Sequence, residues 1–173
     1  MSSIMIAAIL IAVTVGIPTI FISISSRSKR KRKAMLMKKF HEEGSKRGLS
    51  FSSTEELKGI LIGFDGLRQS FLVYDFENEK GFHHIDLATV SKCSVKKETE
   101  IINAGEPNKP IKENHLRSIE LVFEYNGRTA PYSVCYYHSN LNSIYEIAEL
   151  EMKAKYWETM VGKMVGKGER VRA

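Results

Sequence analysis

Residues 118–136 read SIELVFEYNGRTAPYSVCY, and this stretch decides the soluble fold. Ile119, Leu121, Phe123 and Tyr125 alternate with Ser118, Glu120, Val122 and Glu124, a period of two that belongs to a half-buried strand. Asn126-Gly127 follows, then Tyr132, Val134 and Tyr136 alternate again. Asn-Gly between alternating runs marks a hairpin, because a type I′ turn requires positive φ at both central residues. A two-residue turn pairs Tyr125 with Arg128, Phe123 with Ala130, Leu121 with Tyr132 and Ile119 with Val134, all on one face. Cys135 falls on the opposite face, beside Val122 and Pro131. Pro131 cannot donate a ladder hydrogen bond, which places its strand at an edge or at a bulge.

Working upstream, Gly59 to Phe64 and Leu67 to Tyr74 are apolar runs flanking Asp65-Gly66, which reads as a second tight hairpin. Further strands are expected at Gly81 to Leu87 and Ser91 to Thr99. Residues 100–115, with Gly105, Pro107 and Pro110, read as a loop. Downstream, a helix is expected from about Asn140 to Lys163, capped by Asn140 or by Ser143, which has capping-box spacing to Glu146. Leu141, Ile144, Tyr145, Ala148, Met152 and Tyr156 form its apolar stripe, with Trp157, Met160 and Val161 round the side. Residues 166–173 read as a frayed tail.

The N-terminus is different in kind. Ile4 to Ile24 holds 21 residues without a charge, enough as a helix for roughly 31 Å, the thickness of a bilayer core. Pro18 is tolerated in such a span. A cleaved signal peptide would carry basic residues before a shorter apolar core. Here Met1, Ser2 and Ser3 carry none, and Arg27, Lys29, Arg30, Lys31, Arg32 and Lys33 all come after. Basic residues stay on the cytoplasmic side, so the expectation is a single-pass inner-membrane protein, N-terminus out, with its soluble domain in the cytoplasm. Ala8, Ala12 and Gly16 share one face at four-residue spacing, a surface on which two membrane helices can approach and self-associate.

This divides the chain into a transmembrane helix (4–24), a basic juxtamembrane segment with a short helix from Ala34 to Arg47 (25–47), a domain (48–165) and the tail. Residues 25–47 hold ten Lys/Arg against Glu42 and Glu43, a net of +8. Residues 48–173 hold sixteen against eighteen Asp/Glu, a net of −2. The basicity therefore belongs to the membrane border, where it holds topology and attracts anionic lipid. The domain lacks the basic face that nucleic acid demands, although Lys29 to Lys33 alone could be read as a nuclear signal. Cys93 and Cys135, without CxxC spacing, read as reduced structural thiols.

The order of these elements, short antiparallel strands in hairpins and then one amphipathic helix, resembles the pleckstrin-homology-like fold over residues 49–163. The fold class expected is thus α+β: an N-terminal transmembrane helix, then an antiparallel sheet or open barrel with a C-terminal capping helix. Ile62-Gly63-Phe64-Asp65, Ile85-Asp86-Leu87 with Cys93, Ile119-Glu120-Leu121, Tyr136-Tyr137 and Ala154-Lys155-Tyr156-Trp157 resemble a family of small, uncharacterised bacterial single-pass membrane proteins. That resemblance implies a bacterial setting and no activity.

Catalytic signatures are absent from the sequence. GxGxxG, the P-loop, GxSxG and HExxH do not occur. His83 and His84, adjacent on a strand, point to opposite faces and cannot share a metal from one side; neither His115, His138 nor the cysteines supply ligand spacing. Glu77, Glu79, Glu98 and Glu100 read as solvated, and no catalytic, cofactor or metal residue is assigned. The expectation is a non-enzymatic binding or scaffold domain that meets the lipid bilayer and a protein partner. The alternatives are a lipid-headgroup module using Lys92, Lys96 and Lys97, and an enzyme built from residues without a signature.

Overall fold

A computed structural model describes residues 30–77, 81–103, 112–127 and 130–165. The expected span Ile4 to Ile24, its Ala8, Ala12 and Gly16 face, Arg27, Lys29 and the tail lie outside them. The chain divides into two compact units, Met1–Gly48 and Leu49–Ala173.

In the first unit, residues 30–46 form helix α1. It already includes Arg30 to Lys33, ahead of the expected start at Ala34, because Lys, Arg, Ala, Leu and Met are all strong helix formers. Lys38–Glu42, Lys46–Glu43 and Arg47–Glu43 pair at 3.8, 3.5 and 3.0 Å across one helical turn. The helix closes at Gly48, whose φ of 70° is open to glycine without strain.

The second unit is α+β, with two antiparallel sheets and a C-terminal helix. β1 (Ser53–Leu57), β2 (Ile60–Asp65), β3 (Ser70–Asp75) and β4 (Gly81–Asp86) form a four-stranded sheet in sequence order. A 3-10 turn, Leu87–Thr89, is capped by the Asp86 carboxylate and leads into β5 (Val90–Asn103). β5, β6 (Lys112–Tyr125) and β7 (Tyr132–His138) form the three-stranded sheet, with β7 at its edge. Ser143 and Glu146 make the expected capping box, and a 3-10 turn at Ile144–Glu146 runs into α2 (Ile147–Val165).

Pairing places Ile62 opposite Val73, Phe64 opposite Phe71 and Phe71 opposite Ile85. In the other sheet, Val95 pairs Leu121 and Leu121 pairs Val134. These side chains form one buried core with Leu150, Ala154, Trp157 and Val161 of α2. Helix α2 lies against β5, β6 and β7. Its Trp157 ring stands edge-on to Phe64 and Phe71 of the four-stranded sheet, at centroid distances of 5.8 and 5.0 Å. Phe71 in turn meets Phe123 at 5.7 Å. The two sheets and the helix are thereby tied together through aromatic contacts.

Several local expectations are corrected. The tight two-residue loop of the first sheet is Lys58-Gly59, between β1 and β2; β1 itself escapes a hydrophobicity reading because STEEL is mostly polar. Asp65-Gly66 is not a type I′ turn. Asp65 pairs Ser70 across a four-residue loop, Gly66 is not at positive φ, and Gln69 takes φ 50° instead. The second hairpin is shifted by two residues, with Phe123 opposite Tyr132 and Leu121 opposite Val134. A shift of two preserves the faces. A bulge between Ile119 and Glu120 then brings Tyr137 opposite Ile119. The expected loop over 100–115 is partly strand, since Glu100 pairs His115 and Asn103 pairs Lys112.

The largest correction concerns α2. The face turned to the core carries Leu150, Ala154, Trp157 and Val161, while Leu141, Ile144, Tyr145, Ala148, Met152 and Tyr156 are exposed. Both stripes have helical period, and the one holding the bulkiest side chain is buried.

Gly59 stands at φ 79°, and a Cβ there would sit 2.7 Å from Glu77 Cβ. Gly59→Ala is therefore expected to cost about 1–3 kcal/mol, read as a lower midpoint in urea denaturation. An unchanged midpoint would contradict the turn geometry.

Candidate functional site

The chemistry-bearing side chains are dispersed. His83 and His84 of β4 lie opposite Val73 and Leu72, on the two faces of the sheet. His83 stacks on Tyr132 of β7, centroids 3.8 Å apart. Burial, helped by the neighbouring His84, holds its imidazole below the usual histidine value. Among the described residues, no group of three or more His, Cys, Asp or Glu is placed to hold a metal ion.

Cys93 pairs Phe123 and faces the core, while Cys135 lies opposite Glu120 on the other face of its strand. Burial, then the carboxylate of Glu158, pushes the Cys93 thiol up to about 12. Burial, then Glu120, pushes Cys135 up to about 11. Both are protonated at neutral pH and are poor nucleophiles there. The Cys135 thiol also donates to the Tyr137 carbonyl at 3.3 Å.

A cleft of about 200 Å³ opens between the sheets, with Ile60, Val73 and Asp75 on one wall and Glu120, Tyr132, Ser133, Val134 and Cys135 on the other. Its polar lining is acidic and holds neither Lys nor Arg. Burial and the Asp75 carboxylate raise the Tyr132 phenol to about 12. At this size the cleft is smaller than the roughly 300–1,000 Å³ usual for organic ligands. It has room for about seven waters.

The three lysines that could grip a lipid headgroup do not converge. Lys92 and Lys96 lie on one face of β5 and Lys97 on the other. Lys96 pairs Glu124 at 3.2 Å and Lys97 pairs Glu151 at 2.7 Å, so two of the three charges are already matched by acids.

What remains is the outward face of α2. With Leu150, Ala154, Trp157 and Val161 turned inward, residues 148, 152 and 156 lie on the opposite side of α2, and Tyr145 precedes it in the 3-10 turn. Tyr145 is 92% exposed, Met152 66% and Tyr156 54%, and Ile144 and Leu141 continue the patch at the helix start. Exposed aromatic and methionine side chains at helical spacing are the usual furniture of a helix docking surface. Sequence reasoning found these residues and gave them to the core; the signal that separates the two stripes is Trp157, the bulkiest side chain on the helix. The Tyr132–His83 stack and its cleft had no sequence signal, because they join β4 to β7 across 49 positions of chain.

Of the expected basic cluster, Arg30, Lys31, Arg32 and Lys33 are exposed along α1. Among the described residues no helix is long and apolar enough to cross a membrane. Compared with family models, with curated proteins and with solved structures, the chain matches none.

Proposed function

We propose that this chain is a membrane-tethered, non-enzymatic binding or scaffold module that meets a protein partner at the cytoplasmic face of the membrane. The uncharged run from Ile4 to Ile24 and the basic residues after it support the tether. The single observation that carries the binding role is the exposure of Met152 and Tyr156 on the outward face of α2, with Tyr145, Ile144 and Leu141 exposed in the turn before it. The four-stranded sheet, three-stranded sheet and C-terminal helix, in that order, support assigning the domain to the pleckstrin-homology-like fold. Headgroup binding is the weaker reading, because Lys96 and Lys97 sit on opposite faces and are ion-paired. The bacterial family resemblance fits the same membrane-border role.

The test places a photo-crosslinking residue at Met152 of the full chain in its own membranes, with Thr99, exposed on β5, as the control position. Protein adducts from position 152 well above those from position 99 are expected. The double variant Met152→Lys with Tyr156→Lys should abolish the wild-type association; Met152→Lys alone should weaken it while changing unfolding free energy by less than about 0.5 kcal/mol, since that side chain is 66% exposed. Adducts to lipid alone, or equal adducts at both positions, would overturn the reading.

A further inference from the structure

We infer that Arg30, Lys31, Arg32 and Lys33 of α1 form a collar that binds anionic phospholipid headgroups, the helix axis standing across the headgroup layer; this rests on the tether proposed above. All four side chains are exposed. At about 100° per residue they point to four sides of the helix. A helix lying in the membrane plane needs its cations on one face and an apolar face turned to the acyl chains. Here no side of the turn is left uncharged. The apolar stripe of α1 is also covered already: Phe40 is 0% exposed, Gly44 is buried, and Leu36 and Met37 are half-buried. Of the large apolar side chains described in α1, only Met35 is exposed.

Charge along the axis agrees. Residues 30–33 carry +4, Lys38 and Lys39 add +2, and residues 40–47 sum to zero, Glu42 and Glu43 against Lys46 and Arg47. From the middle of the collar, Lys38 and Lys39 lie roughly 10 Å further along the helix and the two acids roughly 16 Å. The attraction of an anionic surface fades within a Debye length, about 8 Å at physiological salt. An upright helix holds the collar inside that layer and its acids outside. A flat one brings Glu42 and Glu43 as close to the lipid phosphates as the cations.

Chain length selects lipid as the anion. The uncharged run ends at Ile24, six residues before Arg30, and six residues reach at most roughly 20 Å. The tether therefore keeps the collar beside the bilayer, an effective concentration that favours headgroups over a soluble polyanion. Four like charges within one turn repel one another, and anions around the helix turn that repulsion into attraction.

The experiment reconstitutes the full chain in phosphatidylcholine vesicles doped with spin-labelled phosphatidylglycerol or spin-labelled phosphatidylcholine, and reads how much of each the protein immobilises. Phosphatidylglycerol should be preferred about five-fold where a headgroup sits on one cation, and less so in high salt. Arg30→Gln, Lys31→Gln, Arg32→Gln and Lys33→Gln together should cut the preference to roughly half or less, with Arg27 and Lys29 left to hold topology. Lys38→Gln with Lys39→Gln should leave it unchanged. Orientation is read by energy transfer to headgroup dyes from labels at Met35→Cys or Ser45→Cys, with the wild-type chain as the labelling baseline for Cys93 and Cys135. Position 45 should lie roughly 15 Å farther from the headgroups than position 35. Equal losses from the two Gln sets, or equal distances at 35 and 45, mean a helix in the membrane plane and overturn the inference. A preference that survives the four collar substitutions places the lipid elsewhere and overturns it too. Each of these results leaves the tether standing. Release of the chain from the vesicles by alkaline carbonate means that there is no tether, and the collar falls with it.

Discussion

Replacing Trp157 with alanine is expected to cost about 3–5 kcal/mol, a large part of the roughly 5–15 kcal/mol that holds a domain of this size folded. Trp157 is 2% exposed and its ring meets Phe64 and Phe71 across the gap between α2 and the four-stranded sheet. Truncation removes that area and leaves a cavity where three elements converge. A polar loss adds to it. The Trp157 indole N–H donates to Glu55 Oε2, and the other Glu55 oxygen lies 4.0 Å from Lys153. Without the indole, a half-buried carboxylate loses its donor. Trp157→Phe separates the terms, since it keeps an aromatic ring and deletes only the N–H; it should cost about 1–3 kcal/mol. Trp157 is the only tryptophan, so urea unfolding must be followed by far-ultraviolet circular dichroism. A Trp157→Ala midpoint close to wild type would refute the role given to this ring.

The same residue shows how far the sequence could be read. Alternation in 118–136 identifies the central strand and its faces, because a period of two survives a register shift of two. It cannot set the register itself, which depends on a loop containing Pro131 and on a bulge at Ile119/Glu120. The capping box at Ser143 and Glu146 was legible because its spacing is its mechanism. On α2 the reading failed informatively. Hydrophobic periodicity reports that a face is apolar, not which apolar face meets the core, and this helix has two. The inward choice depends on Phe64 and Phe71, more than 80 positions away, and on Glu55 in a strand too polar to be noticed. What the misreading exposed is the candidate docking face.

Acid should destabilise this domain in part through one buried carboxylate, Asp65. Asp65 is 2% exposed, and its carboxylate accepts the backbone N–H groups of Ser50, Leu67 and Arg68 at 2.7, 3.0 and 2.9 Å. The Arg68 and Ser50 bonds, outweighing burial, hold its pKa below the usual aspartate value. A carboxyl whose folded pKa lies below its unfolded value of about 3.9 stabilises the fold fully above that pH. The stabilisation is lost as pH falls from about 4 through the depressed folded value. Asp65→Asn keeps one acceptor oxygen and removes the charge. It is expected to cost about 1–2 kcal/mol at pH 7, the loop N–H groups on the exposed side turning to water. The sharper expectation is the pH profile. The stability difference between wild type and Asp65→Asn should be full at pH 7 and shrink as pH falls below about 4, because the unfolded wild-type chain then takes up a proton that the folded carboxylate resists. Glu151, whose carboxyl is lowered by its bonds to Lys155 and Lys97, titrates in both proteins and cancels in the difference. A difference that stays constant from pH 7 to 3 in urea titrations would show that the Asp65 charge contributes nothing. Asp65 would then have to hold the loop by shape alone, and Asp65→Ala would have to cost much more than Asp65→Asn.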